Sequence, residues 1–345
     1  MPLAIACPDK FRGTLTAADA AAAMARGLRT AGFDTVREIP LADGGEGTLD
    51  ALLAARGGGV RHVPVTGPLG DPVDASYGVL PDGTAVVEMA RASGLALVAS
   101  RNDPLRASTR GTGELIAAAL RAGAPRVIVG VGGSATTDGG LAAVEALGWS
   151  LGGIEVAVAC DVTTPFLDAA TVYAPQKGAT SAQVALLTRR LERLAEHYLA
   201  RTGVDVTALE GAGAAGGLAG GLAAIGARIE PGFDAVAQAA GLEPLLADAD
   251  LVLTGEGRLD HTSFEGKVVG GVLAWAADEG IEHCAVIAGQ ATDEGREELS
   301  VTSAAQLLVL TDRVWSAGEA FARAATLVEE AAIEAGRFAL RFASD

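Results

Sequence analysis

Lysine is rare in this chain, and each lysine lies in a segment whose neighbours could bind an anion. Of the 26 basic residues only three are lysine, and they lie in the segments PDKFRGT (Lys10), PQKGAT (Lys177) and FEGKVVGG (Lys267). Arginine can usually replace lysine on a surface, but often not where chemistry needs a compact ammonium group. Chance survival is the alternative; the loop setting favours a functional role for at least two of the three.

Five apolar runs end in polar, mostly glycine-rich turns. They are IAC-PDKFRGT, IPL-ADGGEGT, VIVGV-GGSATTDGG, VLT-GEGRLD and VAVAC-DVTTPF. Ligands of open α/β sheets bind outside the carboxyl ends of the strands, and glycine lets backbone N–H groups approach an anion there. The turn GGSATTDGG fits phosphate binding best, although an ordinary βα turn explains that motif alone about equally well.

Several of these turns also carry carboxylates. The acidic residues concerned are Asp43, Glu46, Asp138, Asp161, Glu256 and Asp260. Phosphoryl transfer needs Mg²⁺ held by one or two carboxylates, cations for the transferred group and a base near the acceptor hydroxyl. Each acid alone is better explained as a turn residue or a helix cap, but the joint pattern favours an enzyme.

Other catalytic classes lack their signatures in this sequence. It contains no G-x-x-x-x-G-K-[ST] motif, no G-x-G-x-x-G after the first strand and no protein-kinase signature set. The four histidines show no metal-ligand spacing, and Ser134 and Ser263 have no G-x-S-x-G context. Segment 211–221, GAGAAGGLAGG, is interpreted either as a loop closing over a nucleotide or as a tightly packed helix start.

The order of predicted elements indicates an α/β protein with two different α/β domains. Strands and helices alternate regularly near both ends of the chain, whereas 58–100 shows short strands separated by GPLGDP and PDG turns, which is typical of hairpins. This pattern predicts a discontinuous Rossmann-like domain (1–58 and 245–345) carrying an inserted domain (59–244) with a mixed, hairpin-rich sheet.

Composition restricts the partners of the chain. With 43 acidic and 26 basic residues among 345, the formal charge is −17, which argues against nucleic acid and against an anionic membrane surface. Three widely spaced cysteines in apolar runs favour reduced thiols over disulfides. The start shows no signal-peptide pattern and no run reaches 18 bulky apolar residues. These features predict a soluble cytoplasmic protein; a homodimer is compatible with them.

Ten collinear motifs resemble those of the bacterial glycerate kinase family, in its glycerate 2-kinase branch. They are CPDKFRGTLTA, PLADGGEGT, VTGPLGDPV, VEMARASGLAL, RGTGELI, GVGGSATTDGG, ACDVTTPF, APQKGAT, GAGAAGGLAGG and TGEGRLDHTSFEGKV. The resemblance spans residues 4–268 and continues weakly to the C-terminus. It implies transfer of the ATP γ-phosphoryl group to D-glycerate with Mg²⁺, typically giving 2-phosphoglycerate, in a cleft between two α/β domains.

Roles follow from the resemblance together with the residue types. The catalytic residues are expected to be Lys10, Asp43, Asp260 and Lys267, and the substrate-binding residues Arg12, Gly44, Gly45 and Glu46. ATP and its phosphates are expected at Gly132, Gly133, Ser134, Lys177, Gly216, Gly217 and Gly255, and the metal at Asp138 or Glu256. Either Asp43 or Asp260 would accept the hydroxyl proton; the sequence leaves that choice open.

A few positions depart from the family pattern. The first motif usually reads P-D-S-F-K-G, whereas this chain has lysine at 10 and arginine at 12. Thr137 stands for asparagine and Thr262 for glutamine, while Arg91 and Arg110 replace smaller or uncharged residues. These departures leave open a kinase for another small hydroxy acid. Two alternatives from other classes also stay open: a dinucleotide-dependent oxidoreductase and a non-catalytic nucleotide or metabolite sensor.

Overall fold

The computed structural model describes residues 2–98 and 101–342. The chain divides into two compact units: the first comprises residues 1–43, 50–56 and 236–345, and the second 44–49 and 57–235. Each unit contains one sheet with helices. The predicted α/β class is confirmed, and the boundaries at 58 and 245 stay a prediction.

The elements are numbered in chain order. The strands are β1 (Leu3–Ala6), β2 (Thr35–Glu38), β3 (Gly59–Thr66), β4 (Pro72–Val79), β5 (Ala85–Glu88), β6 (Arg126–Gly130), β7 (Glu155–Cys160), β8 (Arg228–Pro231), β9 (Leu251–Leu259), β10 (Cys284–Ala291) and β11 (Gln306–Val309). The helices are α1 (Ala17–Ala31), α2 (Thr48–Arg56), α3 (Ala90–Ser93), α4 (Arg110–Arg121), α5 (Leu141–Ala146), α6 (Ala169–Tyr173), α7 (Ser181–Thr202), α8 (Ala214–Ala224), α9 (Gly232–Ala240), α10 (Glu243–Leu246), α11 (Val268–Asp278), α12 (Asp293–Thr302), α13 (Ala317–Ala322) and α14 (Ala324–Phe342).

The sheet of the first unit is parallel throughout. Within the described residues its strands follow the order β2-β1-β9-β10-β11, so that β1 pairs with β9, with Ile5 opposite Val252. Strands buried on both faces read as continuous apolar runs, which is why LAIA and LVLT were recognisable in the sequence. All carboxyl ends therefore meet at one edge, where ligands of such sheets bind.

Helices α1 and α14 pack closely in this unit. Thr16 caps α1 by accepting a hydrogen bond from the Asp19 N–H, and Gly32 ends it in a left-handed conformation. Gly27 lies where the helices meet: a Cβ there would overlap the Glu329 carbonyl oxygen and lie 2.7 Å from the Ala332 Cβ. The backbone of α14 therefore approaches α1 at a distance that only glycine permits.

We expect Gly27→Ala to destabilise the protein by about 1–3 kcal/mol, because overlap with backbone outweighs the gain in helix propensity. The free energy of unfolding in urea measures the effect. Gly59→Ala is the matched control, since a Cβ at that position meets nothing within 4 Å. Equal stability of the two variants would contradict the close contact.

The sheet of the second unit is mixed. Strands β3, β4 and β5 are antiparallel neighbours, and β5, β6, β7 and β8 run parallel. The hairpins predicted for 58–100 are therefore present. The core side chains, such as Val87, Val129 and Val158, come from the central strands. The loops after β5, β6 and β7 leave the sheet at one edge.

Segment 211–221 is a tightly packed helix start, as one of its two interpretations predicts, and the other, a loop that closes over a nucleotide, stays a prediction. Helix α8 begins with three left-handed residues, Ala215, Gly216 and Gly217, and continues as a regular helix that is buried throughout. The left-handed turn brings its backbone against the loop after β6: a Cβ on Gly216 would overlap the Thr136 carbonyl oxygen. Among the described residues, no helix has the length and apolar character needed to cross a membrane.

Candidate active site

A cavity of about 390 Å³ lies in the first unit and contains residues from the ends of β1 and β9. Its charged lining residues are Asp9, Lys10, Arg12, Glu256, Arg258, Asp260 and Lys267. Phe11, Leu310, Ala320, Phe321 and Ala324 supply the apolar part of the lining. Three carboxyl groups and four cations beside an apolar wall form a site suited to a charged ligand that also has an apolar part.

Asp9 and Glu256 are brought together by pairing of the chain with β9. The Asp9 N–H donates to the Gly255 carbonyl oxygen at 2.9 Å, so that hydrogen bonding to β9 continues beyond the end of β1. Gly257 lets the turn after β1 approach β9 closely, because a Cβ at position 257 would lie 3.0 Å from the Arg12 backbone nitrogen. The turn that carries Lys10 and Arg12 is thereby held against β9.

Both carboxyl groups of this pair resist ionisation. Burial is the main cause that raises the pKa of Asp9 to about 6, and the charge of Asp43 is the second cause. Burial raises the pKa of Glu256 to about 7, with Asp9 adding to the rise and a hydrogen bond from Ser263 opposing it. The Glu256 Oε1 atom is buried without a hydrogen-bond partner among the described residues. A bound cation would therefore stabilise the ionised form of both carboxyl groups.

Asp260, in contrast, is held ionised. Its Oδ1 accepts hydrogen bonds from the Thr262 hydroxyl at 2.7 Å and the Thr262 N–H at 3.0 Å, and the hydroxyl is the main cause that lowers the Asp260 pKa. The Lys267 Nζ donates to the same hydroxyl oxygen at 2.7 Å. Thr262, one of the departures from the family pattern, thus connects the ammonium group to the carboxylate.

The raised pKa of Glu256 makes stability depend on pH. The folded protein binds more protons than the unfolded chain between the ordinary pKa of 4.5 and about 7, so the stability due to this group is lost as the pH rises through that range. We expect Glu256→Gln to raise the free energy of unfolding by about 3 kcal/mol at about pH 8 and to leave it unchanged at about pH 4.

Urea unfolding at both pH values measures this difference. Glu334→Gln is the control, because the Glu334 side chain is 53% exposed in its ion pair with Arg313. A Glu256→Gln variant that is equally stabilised at both pH values would show that ionisation of Glu256 is not the cause.

In the second unit, the loop after β6 is held by buried polar groups. Lys177 is only 2% exposed, and its Nζ donates to the Thr136 carbonyl oxygen at 2.6 Å. Burial lowers the pKa of Lys177 to about 7, while the charge of Asp138 opposes that change. The Asn102 amide donates to Ala135 and Lys177 carbonyl oxygens. Lys177 therefore fixes the backbone of the loop.

Asp138 is satisfied by three hydrogen bonds. Its Oδ2 accepts from the Thr109 N–H and hydroxyl at 2.8 and 2.9 Å, and its Oδ1 from the Gly140 N–H at 3.1 Å. Burial nevertheless raises its pKa. The carboxylate ties the start of α4 to the turn that leads into α5, and these contacts explain its position without a metal ion.

The glycines of the predicted site lie where backbones meet. Gly44 has φ +86° and would place a Cβ 2.8 Å from the Ala159 carbonyl oxygen. A Cβ on Gly132 would lie 2.8 Å from the Gly45 Cα. The turns at 44–46 and 132–134 therefore contact each other directly through their backbones. Close packing accounts for these glycines as well as ligand approach does.

Glu88 is a buried carboxylate that secures the turn at 44–49. Its Oε1 accepts hydrogen bonds from the Gly47 and Leu49 N–H groups at 2.8 and 3.2 Å, while Oε2 pairs with Arg91. Its side chain is only 4% exposed. A carboxylate at the start of α2 satisfies N–H groups that the helix leaves unpaired.

We expect Glu88→Ala to lower the free energy of unfolding by about 2–4 kcal/mol, because it leaves two N–H groups and a partly buried guanidinium without their acceptor. Urea unfolding measures the change. Glu334→Ala, which removes an exposed ion pair, should cost less than about 1 kcal/mol. Similar losses in the two variants would show that Glu88 does not secure the turn.

The structure places the predicted residues in both units. Lys10, Arg12, Glu256, Asp260 and Lys267 line the cavity of the first unit. Asp43 lies near Asp9, and Gly255 is buried in β9. Gly44, Gly45, Glu46, Gly132, Gly133, Ser134, Asp138, Lys177, Gly216 and Gly217 belong to the second unit. The roles assigned to all of them stay predictions.

Arg91 and Arg110 each have an acidic neighbour. Arg91 pairs with Glu88 and donates to the Ser76 hydroxyl, and Arg110 pairs with Glu114 one helical turn away at 2.9 Å. These ion pairs account for both side chains within the second unit.

Asp9 and Glu88 are not among the residues predicted from the sequence. Asp9 follows a buried strand directly, in the same motif as Lys10, and Glu88 is the one acid within the apolar run TAVVEMA. An acid within an apolar strand signals either a paired buried charge or a site. The sequence alone therefore contains this signal.

Comparisons with known proteins agree with this architecture. The family model described as the glycerate kinase family matches residues 4–153 and 150–340. The chain is 42% identical to the glycerate 2-kinase of Escherichia coli K12 over 84% of this chain and 86% of that protein. It is 42% identical to the glycerate kinase of Bacillus subtilis 168 over 78% and 80% of the two chains.

A solved structure is similar over the whole chain. The crystal structure of a protein assigned as glycerate kinase 2 from Salmonella typhimurium LT2 superposes with a TM-score of 0.87 at 36% identity, covering 100% of both chains. A fold and sequence shared to this extent define the chain as a kinase of two α/β units. The chain belongs to the glycerate kinase family, as the motifs predicted.

Proposed function

We propose that this protein phosphorylates D-glycerate with ATP and Mg²⁺, giving 2-phosphoglycerate. The observation that carries the proposal is the cavity of the first unit, in which three carboxyl groups and four cations are gathered at the carboxyl ends of parallel strands. The name of the Escherichia coli relative, glycerate 2-kinase, supports phosphorylation at the 2-position.

The residues present fit a magnesium ion. Glu256 has a buried carboxylate oxygen without a partner, and its repulsion with Asp9 would be relieved by a cation. No group of three or more His, Cys, Asp or Glu side chains in the described part of the chain is arranged to hold a metal. Magnesium is commonly bound by one or two carboxylates plus phosphate oxygens. Asp9 and Glu256 would hold it, and it would supply charge neutralisation on the phosphates.

Phosphate oxygens would be bound by the lysines of the cavity. The Lys267 ammonium group is positioned by its hydrogen bond to Thr262, so that its charge is fixed before substrate arrives. Lys10 lines the same cavity. These two residues would stabilise the negative charge on the transferred group, which is the main task of a protein that catalyses phosphoryl transfer.

Asp260 would accept the proton of the attacking hydroxyl. Of the two carboxylates considered for this role, it is the one that lines the cavity and is kept ionised by hydrogen bonds. A carboxylate with a lowered pKa is a weak base, but the loose transition state of phosphoryl transfer demands little proton abstraction before the bond forms. The Arg12 guanidinium would bind the glycerate carboxylate, for which its planar fork is suited.

The reaction is tested by measuring ADP release from ATP with D-glycerate, L-glycerate, lactate, tartronate or no acceptor, with and without Mg²⁺. We expect release that requires both D-glycerate and Mg²⁺, and NMR of the product to show the phosphate at the 2-position. Release with another acid alone would overturn the substrate. No release by folded protein that binds ATP would indicate a sensor instead of an enzyme.

We expect Lys267→Ala to lower kcat by about 10²–10³-fold, the usual loss when one preorganised charge-stabilising group is removed. The melting temperature should stay unchanged, because the Lys267 side chain is only partly buried. Arg296→Ala, which removes an exposed ion pair with Asp312, is the control and should retain full activity. Near-normal turnover of Lys267→Ala would remove this residue from the mechanism.

A cytoplasmic location, a homodimer and the absence of a nucleic-acid partner stay predictions from the sequence. Binding of phosphates by Gly132, Gly133 and Ser134 and by the buried Lys177 likewise remains a prediction. The match to the glycerate kinase family favours a kinase over an oxidoreductase.

A further inference from the structure

The apolar wall of the cavity in the first unit has no role in the chemistry assigned above. It is built from the segment that follows β11, where Leu310, Ala320, Phe321 and Ala324 line the cavity. Phe321 is 57% exposed. Its ring therefore offers an open aromatic face to a ligand in this cavity.

The Phe321 ring lies against the turn that carries the cations. Gly13 has φ +82°, and a Cβ there would lie 3.6 Å from the Phe321 Cε1 atom. Lys10 and Arg12 belong to that same turn and line the same cavity. An aromatic face and two cations are therefore presented to a ligand within one short segment of the surface.

The size of the cavity indicates which of the two substrates, glycerate or the nucleotide, contacts its apolar wall. At about 390 Å³ it falls in the range of pockets that hold ligands much larger than a three-carbon acid. Glycerate has no aromatic or extended apolar part that could cover Phe321. A nucleotide has both a planar base for the ring and phosphates for the cations.

We propose that Phe321 stacks against the base of the nucleoside triphosphate, whose phosphates face Lys10. This inference rests on the proposed function for the presence of a nucleotide, and it adds the base-binding residue, which lies outside every motif that carries the family resemblance. Stacking uses the π-face that every base has. Phe321 therefore contributes affinity for the base and not for the triphosphate.

Calorimetric titration of the full chain with ATP and with inorganic triphosphate tests the proposal. In wild type, ATP should bind more tightly than triphosphate. Phe321→Ala should weaken ATP binding about tenfold, the loss typical of one stacked base, and leave triphosphate binding unchanged. Phe321→Trp should restore ATP binding. Trp315→Ala is the control, because Trp315 is fully exposed on the same segment but does not line the cavity.

Unchanged ATP affinity in Phe321→Ala, or an equal loss for ATP and triphosphate, would overturn the assignment. The proposed function fails by a different result, the absence of glycerate-dependent turnover in wild type. If wild type turns over while Phe321→Ala binds ATP normally, only the base site is wrong. If wild type does not turn over but ATP binding depends on Phe321, only the reaction is wrong.

Discussion

The site in the first unit depends on the pairing of β1 with β9. These strands are far apart in the sequence, and their parallel register sets Ala4, Ile5 and Ala6 beside Leu251, Val252 and Leu253. The hydrogen bond from the Asp9 N–H to the Gly255 carbonyl oxygen extends this register by one more step. Two carboxyl groups are thereby forced into proximity at a sheet edge, where neither ionises easily. Burial is the main cause of both raised pKa values and nearby like charges add to it, so the edge is receptive to a cation.

In the second unit, buried side chains hold irregular loop backbone in place within the packed structure. A loop without regular hydrogen bonds needs other partners for its polar groups. The turn at 44–49 obtains them from Glu88, and the loop after β6 obtains them from Lys177 and Asn102. In both cases a charged side chain is buried to bind backbone. These charges therefore serve the shape of the loops before any contact with a ligand.

Much of the fold could be predicted from the sequence because its physical signals are local. Continuous apolar runs identified the parallel strands, and the PDG and GPLGDP turns identified the hairpins of β3, β4 and β5. The strand-end rule also selected Lys10 and Asp260, and the scarcity of lysine selected Lys267; all three line one cavity in the structure. Local pattern was sufficient for these residues because the carboxyl ends of parallel strands share an edge.

The burial of individual side chains, and which residues distant in sequence lie close together, could not be predicted from the sequence. Lys177 has the same kind of glycine-rich neighbourhood as Lys267, yet one is buried and the other lines the cavity. Asp9 acquires its raised pKa only through burial and the charge of Asp43. Phe321 lies in a segment without a recognisable motif, and its place on the cavity wall depends on how α13 packs. Such facts follow from tertiary packing, which single-sequence patterns do not contain.

The most direct test of the central claim, that Asp9 and Glu256 form the cation site of a kinase, is the effect of Mg²⁺ on ATP affinity in wild type and in Glu256→Gln. Calorimetry measures the ATP Kd with and without Mg²⁺ in each protein. We expect Mg²⁺ to tighten ATP binding in wild type and this gain in affinity to be lost in Glu256→Gln. An equal gain from Mg²⁺ in both proteins would contradict it.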